Sequence, residues 1–241
     1  MNLALDFGNT RIKAALFRQN ELVEKHIFNS PAELLAAVET LKGITNCIIG
    51  SVTADHEPVL KELYSRFNTL LFTAQTPIPL KNLYKSALTL GSDRIAASVG
   101  AYILYPGQNV LTIDAGTCIK YNFVNARNEY LGGAISPGIP MRLKAMNYYT
   151  QRLPLVEPDM NYDKLTGQST SESLLSGALL GAACEVEAMI RRYEQEHKNL
   201  VVVLTGGDRD YLSKQVKSRF FTSQNLLLTG LNAILNFNLE N

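Results

Sequence analysis

Two segments of the chain repeat one pattern, and this repetition limits the possible folds more than any other feature. Residues 3–10 read LALDFGNT and residues 110–117 read VLTIDAGT, so each apolar run ends in Asp and is followed by glycine and threonine. The glycine lets backbone amides approach a phosphate, the threonine hydroxyl can donate to it, and the Asp can position a hydrated Mg²⁺. One such turn is a weak signal, because similar turns close many hairpins. Two copies, each opening one half of the chain, predict a pair of phosphate-binding turns.

The hydrophobic pattern of the two halves is also similar. Three short apolar runs separated by turns occur at residues 3–7, 11–17 and 22–28, and again at 110–114, 118–124 and 129–135. Such runs predict an antiparallel three-stranded meander in each half. We therefore expect an α/β protein of two related domains, 1–107 and 108–241, each a mixed sheet with an antiparallel meander flanked by helices.

Periodicity predicts the remaining elements. A helix is expected from Pro31 to Leu41, with Ser30 as its N-cap. Further helices are predicted at 55–67, 95–104 and 171–197, after Ile139, between Gly207 and Lys217, and from Asn225, and further strands at 47–50, 69–72 and 200–204. Residues 150–169 lack periodicity and contain two prolines, so a surface loop is expected there.

Composition narrows the class of partner and the compartment. With 23 basic and 22 acidic side chains the formal charge is +1, which favours neither nucleic acid nor an anionic membrane. Cys47, Cys118 and Cys184 are widely spaced and have no nearby His, so neither a disulfide framework nor a zinc site is expected. The amino terminus has an acid at position 6 and no basic segment, unlike a signal peptide. We expect a cytoplasmic protein with small-molecule ligands, and neither nucleic acid nor a membrane as a partner.

The segment Gly91-Ser92-Asp93-Arg94 lies just before the predicted helix 95–104. Asp93 could accept a proton from an attacking hydroxyl, while Arg94 holds an anionic group. The alternative is that Ser92 or Asp93 simply caps the helix, and the residues alone favour capping.

Two glycine-rich segments also allow two interpretations. Thr205-Gly206-Gly207-Asp208 follows a strand and opens a helix, so its amides could face a nucleotide, or it could be an ordinary strand-to-helix turn. Residues 132–138, GGAISPG, contain more glycine than a meander needs. Either the backbone approaches a ligand there, or it forms a tight bulge before the next helix.

The ordered set DFGNT, GSDR, DAGT, GGAISPG and TGGD closely resembles the type III pantothenate kinase family, from Asp6 to about Asp208. The resemblance implies an actin-like, ribonuclease H-like fold and a homodimer. It also implies ATP-dependent phosphorylation of pantothenate to 4′-phosphopantothenate, the first step of coenzyme A synthesis. The implied cofactors are Mg²⁺ with ATP and a monovalent cation, K⁺ or NH₄⁺.

The resemblance also implies site residues. Those for ATP are Asp6, Phe7, Gly8, Asn9, Thr10, Arg11, Ile12, Lys13 and Thr117. Those for pantothenate are Tyr84, Gly91, Ser92, Asp93, Arg94 and Thr170. Asp93 would be the general base, Asp6 would lie near Mg²⁺, and Asp114 would hold the monovalent cation. The chain departs from the family where a further Thr is usual, because Lys120 stands there. This lysine could supply charge to a phosphate, or point elsewhere and leave one hydroxyl contact missing.

Two other functions remain open at this point. A kinase of the same superfamily would phosphorylate another small hydroxylated substrate and be indifferent to pantothenate. A nucleotide-binding transcriptional accessory factor of the same family would need no turnover. The presence of Asp6, Asp93, Asp114 and Thr117 together argues against this regulator, because a binder without turnover does not need all four.

Overall fold

The computed structural model describes residues 1–8, 11–51 and 57–240, so Asn9 and Thr10 lie outside the described residues. The chain forms two compact units. The first unit comprises 1–107, 124–131 and 225–241, and the second comprises 108–123 and 132–224. The predicted domains 1–107 and 108–241 differ from these units in two segments, the tip of a hairpin and the final helix. The domain boundary itself stays a prediction.

The first unit contains a five-stranded sheet. Its strands are β1 (Asn2–Phe7), β2 (Ile12–Arg18), β3 (Glu21–Phe28), β4 (Asn46–Ser51) and β5 (Asn68–Leu71). They lie in the order β3-β2-β1-β4-β5. β1, β2 and β3 pair antiparallel, whereas β4 and β5 are added in parallel. The predicted meander is confirmed, and the parallel strands follow from the helical crossovers between them.

Helices cover both faces of this sheet. They are α1 (Pro31–Thr40), α2 (Glu57–Arg66), α3 (Ser92–Leu104) and α7 (Leu226–Glu240). Side chains alternate along β1, so Leu3 and Leu5 join the core with α1 and α2, while Ala4 joins the core with α3 and α7. The predicted N-cap is confirmed, because the Ser30 hydroxyl accepts a hydrogen bond from the Glu33 amide at 3.2 Å.

α3 and α7 approach each other unusually closely. Gly100 of α3 and Gly230 of α7 lie at the contact, where a Cβ added to Gly230 would overlap the carbonyl oxygen of Ala96. A Cβ added to Gly100 would overlap the carbonyl oxygen of Leu226. This contact places α7 in the first unit although it is the last element of the chain. Periodicity predicts the helix but not the sheet that it covers.

The second unit is built on a second mixed sheet. Its strands are β7 (Asn109–Ala115), β8 (Cys118–Val124), β9 (Glu129–Pro137), β10 (Leu200–Thr205) and β11 (Phe221–Thr222), in the order β11-β10-β7-β8-β9. Short turns join β7 to β8 and β8 to β9, which confirms the second meander, and β10 pairs in parallel with β7. The tip of the β8–β9 hairpin belongs to the first unit, where Glu129 and Tyr130 pair with β6 (Lys81–Asn82).

Three helices complete the second unit: α4 (Ile139–Tyr148), α5 (Thr170–Glu196) and α6 (Arg209–Gln215). Leu179, Ala182 and Val186 of α5 pack in one core with Leu111 and Ile113 of β7. By length and composition alone α5 could cross a membrane, a property that it shares with core helices of other proteins. Residues 150–169 contain no helix or strand, which confirms the predicted loop.

Candidate active site

The first predicted phosphate turn follows β1 in the first unit. Asp6 and Lys13 are cross-strand partners, and the Lys13 Nζ lies 3.9 Å from the Asp6 Oδ2. The Asp6 side chain is only 9% exposed, whereas that of Lys13 is 53% exposed. Phe7 and Ile12 are buried in the core, so any contact between them and a nucleotide would come from their backbone. The described part of this turn therefore presents the Asp6 carboxylate, the Lys13 ammonium group and the exposed Arg11.

The GSDR segment forms the first turn of α3. The alternative interpretation, a cap at Ser92 or Asp93, is wrong, because the N-cap is Gly91, which makes no side-chain capping bond. The helix starts at Ser92, three residues before the predicted start. The Asp93 Oδ1 accepts a hydrogen bond from the Arg94 amide at 2.8 Å. Gly91 makes room for this carboxylate, since a Cβ there would stand 2.6 Å from the Asp93 Oδ1.

Arg94 lies beside Tyr84, which is also predicted to contact the substrate. The guanidinium carbon of Arg94 is 5.5 Å from the centre of the Tyr84 ring, and Arg94 is only 6% exposed. Tyr84 is held in turn by Tyr130, whose ring centre is 6.1 Å away, and by the Asn82 Oδ1, which accepts from the Tyr84 amide at 3.0 Å. A buried guanidinium next to an aromatic ring is suited to a planar anion such as a carboxylate.

The second phosphate turn closes the β7–β8 hairpin in the second unit. Asp114 is the second-last residue of β7, and Thr117 is exposed in the turn. The Gly116 amide donates to the Cys118 carbonyl at 3.0 Å, which closes the turn. Thr170, predicted to line the substrate pocket, is exposed at the first position of α5.

The glycines of residues 132–138 are explained by contacts within the protein. A Cβ on Gly133 would overlap the carbonyl oxygen of Tyr121, and one on Gly138 would overlap the carbonyl oxygen of Gly116. The Gly138 amide also donates to the Thr117 carbonyl at 3.1 Å. Gly133 thus lets β9 pack on β8, and Gly138 lets the backbone pack on the second phosphate turn, which favours close packing over approach to a ligand.

The TGGD segment lies beside the same turn. Thr205, the last residue of β10, pairs in register with Asp114. Gly206 has φ +97°, and a Cβ there would overlap the Ala115 backbone. The Asp208 amide donates to the Ala115 carbonyl at 3.0 Å. The two motifs therefore form one edge of the sheet, with Asp114 and Asp208 as neighbouring carboxylates.

The carboxyl group of Asp208 is unusual within this edge. Burial, and then the negative charge of Asp114, raises the pKa of Asp208 from 3.8 to about 6. Its Oδ2 is buried and has no hydrogen-bond partner among the described residues. An ionised carboxylate in this position lowers the stability of the fold.

We predict that Asp208→Asn changes how stability depends on pH. Between pH 3.8 and about 6 native Asp208 keeps a proton that the unfolded chain has lost. The wild-type free energy of unfolding therefore decreases as the pH rises from 3.8 to about 6. The variant has no carboxyl group at this position, so its free energy of unfolding lacks this decrease. A shift of this size corresponds to ~3 kcal/mol at most, and partial exposure reduces it to roughly 1 kcal/mol. Urea unfolding gives the free energy of unfolding at pH 4.5 and pH 7. Relative to the wild type, the variant should be stabilised only at pH 7.

The control for this prediction is Asp210→Asn, which removes an exposed carboxylate in the first turn of α6. Its free energy of unfolding should differ from that of the wild type by the same amount at both pH values. An equal difference for Asp208→Asn as well would contradict the assigned pKa.

Lys120 faces the carboxylate of the second turn. Its Nζ lies 3.4 Å from the Asp114 Oδ2, with the two side chains 24% and 20% exposed. The sequence left open whether Lys120 contacts a phosphate or points elsewhere. The structure instead pairs it with Asp114, and no sequence pattern that we used indicated this partner.

A second group that the sequence did not indicate is centred on Glu185 of α5. Its Oε1 accepts hydrogen bonds from the Tyr121 hydroxyl at 2.9 Å and the Ser136 hydroxyl at 2.5 Å, and Arg142 pairs with its other oxygen. Burial alone would raise the pKa of Glu185, but these bonds outweigh burial and lower it. The group joins α5 to β8, β9 and α4, and so supports the segment that packs on the second turn.

Comparison with known proteins identifies the family of this chain. The sequence pattern of type III pantothenate kinases matches residues 2–192. The chain belongs to this family. A type III pantothenate kinase from Christiangramia forsetii is 43% identical over 245 residues, which cover 99% of each chain.

Solved structures confirm the predicted actin-like fold. A Campylobacter jejuni protein described as a conserved member of the Baf family of transcriptional activators has TM-score 0.63 and 20% identity, covering 99% of this chain and 100% of its own. A ROK family glucokinase from Streptomyces griseus, in complex with glucose and AMPPNP, has TM-score 0.55 and 13% identity. The match covers 100% of this chain and 99% of the glucokinase. At these identities the likeness shows the fold alone.

The predicted site residues of this type III pantothenate kinase family member divide between the two units. The first unit holds Asp6, Phe7, Gly8, Arg11, Ile12, Lys13, Tyr84, Gly91, Ser92, Asp93 and Arg94, and the second holds Asp114, Thr117 and Thr170. Within the first unit the structure brings Tyr84, Asp93 and Arg94 together. The roles of all these residues stay predictions.

Proposed function

We propose that the chain transfers the γ-phosphoryl group of ATP to the primary hydroxyl of pantothenate, which gives 4′-phosphopantothenate at the first step of coenzyme A synthesis. One observation carries this proposal: in a chain of this family, the first turn of α3 holds both the Asp93 carboxylate, fixed by the Arg94 amide, and the buried side chain of Arg94. Relatives named type III pantothenate kinase match it over nearly their whole length.

Asp93 and Arg94 would divide the work on pantothenate. Arg94 would hold an anionic group of the substrate, with Tyr84 against its guanidinium. Asp93 would take the proton of the primary hydroxyl as the hydroxyl oxygen bonds to the γ-phosphorus. The bond from that phosphorus to the leaving oxygen then breaks, and ADP leaves with the electron pair. The proton on Asp93 returns to water.

Each of the two turns would offer hydrogen-bond donors to a nucleotide. The backbone around Gly8 and the Lys13 ammonium would face its phosphates, with Asn9 and Thr10 in the same turn by family resemblance. The Thr117 hydroxyl, which is exposed, would donate to a phosphate oxygen from the second turn. Fixed donors of this kind stabilise charge that spreads over the phosphoryl oxygens during transfer.

The residues present fit a Mg²⁺ ion that arrives with ATP. Mg²⁺ is commonly held by one or two carboxylates together with substrate phosphates, and Asp6 offers a nearly buried carboxylate at the end of β1. When bound, the ion neutralises phosphate charge. The residues fit a free monovalent cation less well, because the Lys120 ammonium already lies 3.4 Å from Asp114. The mechanism therefore takes no step through K⁺ or NH₄⁺.

The remaining properties of the family complete the proposal. We place the protein in the cytoplasm as a homodimer, acting on ATP and pantothenate without nucleic acid or membrane. The near-neutral charge of +1 supports the absence of a polyanionic partner. Light scattering of the purified protein would test the dimer.

The test is ADP release from ATP and Mg²⁺ by the purified chain, with K⁺ present throughout. We expect release that depends on pantothenate and not on glucose or N-acetylmannosamine. Release with a sugar and not with pantothenate would indicate another kinase of the superfamily. No release under any condition, with ATP still bound, would indicate a regulator without turnover.

A further inference from the structure

The Lys120–Asp114 pair joins two residues that are close in space on the β7–β8 hairpin. The Nζ to Oδ2 distance is 3.4 Å, and about a fifth to a quarter of each side chain is exposed. Asp208 lies next to Asp114, because its amide bonds to the Ala115 carbonyl and its β10 neighbour Thr205 pairs with Asp114. The Lys120 ammonium thus pairs with Asp114, whose own neighbour on the β10 side is the carboxylate of Asp208.

A free cation bound to Asp114 would have to share this carboxylate with the ammonium group. Two unit charges about 4 Å apart repel strongly enough to weaken binding about fivefold in bulk water, and on the order of 10³-fold at an effective dielectric constant of ~20. Partial burial of the pair places it between these limits. The carboxylate that the family resemblance assigns to a monovalent cation is therefore a poor site for one in this chain.

We propose that the Lys120 ammonium takes the place of the monovalent cation at Asp114, so that the reaction of this chain requires neither K⁺ nor NH₄⁺. A lysine side chain ends in an ammonium group with three N–H donors, so it supplies the charge of a bound NH₄⁺ and all but one of its hydrogen-bond donors. Because it is covalently attached, its presence does not depend on the cation concentration. This inference rests on the proposed kinase function.

The decisive variant is Lys120→Thr, which removes the positive charge from beside Asp114 and restores the hydroxyl that is usual in the family. Its matched control is Lys198→Thr. The Lys198 side chain is exposed, and the hydrogen bond from Asn109 goes to the Lys198 backbone carbonyl, which the substitution keeps. Pantothenate-dependent ADP release is measured in K⁺, NH₄⁺ or tetramethylammonium chloride at equal ionic strength. We expect the wild type and the control to vary less than twofold among these salts. Lys120→Thr should be at least tenfold slower in tetramethylammonium and recover in K⁺ or NH₄⁺.

A second readout does not depend on turnover. Melting temperatures are compared in KCl and tetramethylammonium chloride, and only Lys120→Thr should gain a K⁺-specific increase. If no salt permits ADP release, the proposed function fails, while the melting temperatures still test Lys120.

Three results would overturn the inference. The first is a wild type that needs K⁺ for turnover or melts higher in KCl, which requires no variant to be folded. The second is a Lys120→Thr variant that stays fully active in tetramethylammonium. The third is a variant that is inactive in every salt, which would assign Lys120 to phosphate contact.

Discussion

Asp93→Asn will lower the turnover number about 10²–10⁴-fold, the usual contribution of a positioned general base. The amide has nearly the same shape as the carboxylate, and its oxygen can still accept the hydrogen bond from the Arg94 amide that Asp93 accepts at 2.8 Å. It cannot take the proton of the substrate hydroxyl. ATP affinity should change little, because the first phosphate turn lies on β1 and β2 rather than α3.

The measurement combines pantothenate-dependent ADP release with calorimetric titration of ATP. Glu21→Gln is the matched control, because it makes the same change of carboxylate to amide at an exposed position on β3. We expect it to keep wild-type turnover. Unchanged turnover for Asp93→Asn would remove Asp93 from the role of base. A lowered melting temperature would assign the loss to the fold instead.

Gly230→Ala will destabilise the first unit severely. The new Cβ would overlap the Ala96 carbonyl oxygen and stand 2.8 Å from the Gly100 nitrogen, both of which are helix backbone in α3. Relief requires α3 and α7 to separate, and overpacking of this kind costs about 3 kcal/mol or more. For a chain of this length we expect a melting temperature lower by roughly 10 °C, or insoluble protein.

Gly177→Ala is the matched control for this effect. Gly177 lies inside α5, and a Cβ added there meets nothing within 4 Å. Alanine is the better helix former by roughly 0.5–1 kcal/mol, so this variant should be as stable as the wild type or more stable. The two variants are compared by thermal unfolding. Equal melting temperatures would contradict the close packing of α3 and α7.

The sequence predicts local structure well because the relevant signals are local. Short apolar runs separated by turns predicted both meanders, and Ser30 with Pro31 predicted the start of α1 correctly. The start of α3 was placed three residues late because Gly91 carries no capping side chain. Ser92 and Asp93, which favour caps, pointed to the wrong position.

Long-range neighbours were beyond sequence reasoning. The pairing of β10 with β7 brings TGGD to the second phosphate turn, and the register of strands about 90 residues apart has no local signal. The same reason hides the burial that raises the pKa of Asp208. The Lys120–Asp114 pair, in contrast, lies within one hairpin, and it was missed because both residues were considered only as contacts for ligands. Likewise, the glycines of residues 132–138 suggest a ligand when seen alone, whereas the structure shows backbone of the same unit against them.

The most direct test of the proposed activity is to identify the product itself. The purified chain is incubated with ATP, Mg²⁺ and pantothenate, and the mixture is followed by ³¹P NMR and mass spectrometry. We predict one pantothenate phosphomonoester, with the phosphate on the primary hydroxyl, for each ADP formed. ADP with inorganic phosphate and unchanged pantothenate, or no ADP at all, would contradict the assignment of this chain as a pantothenate kinase.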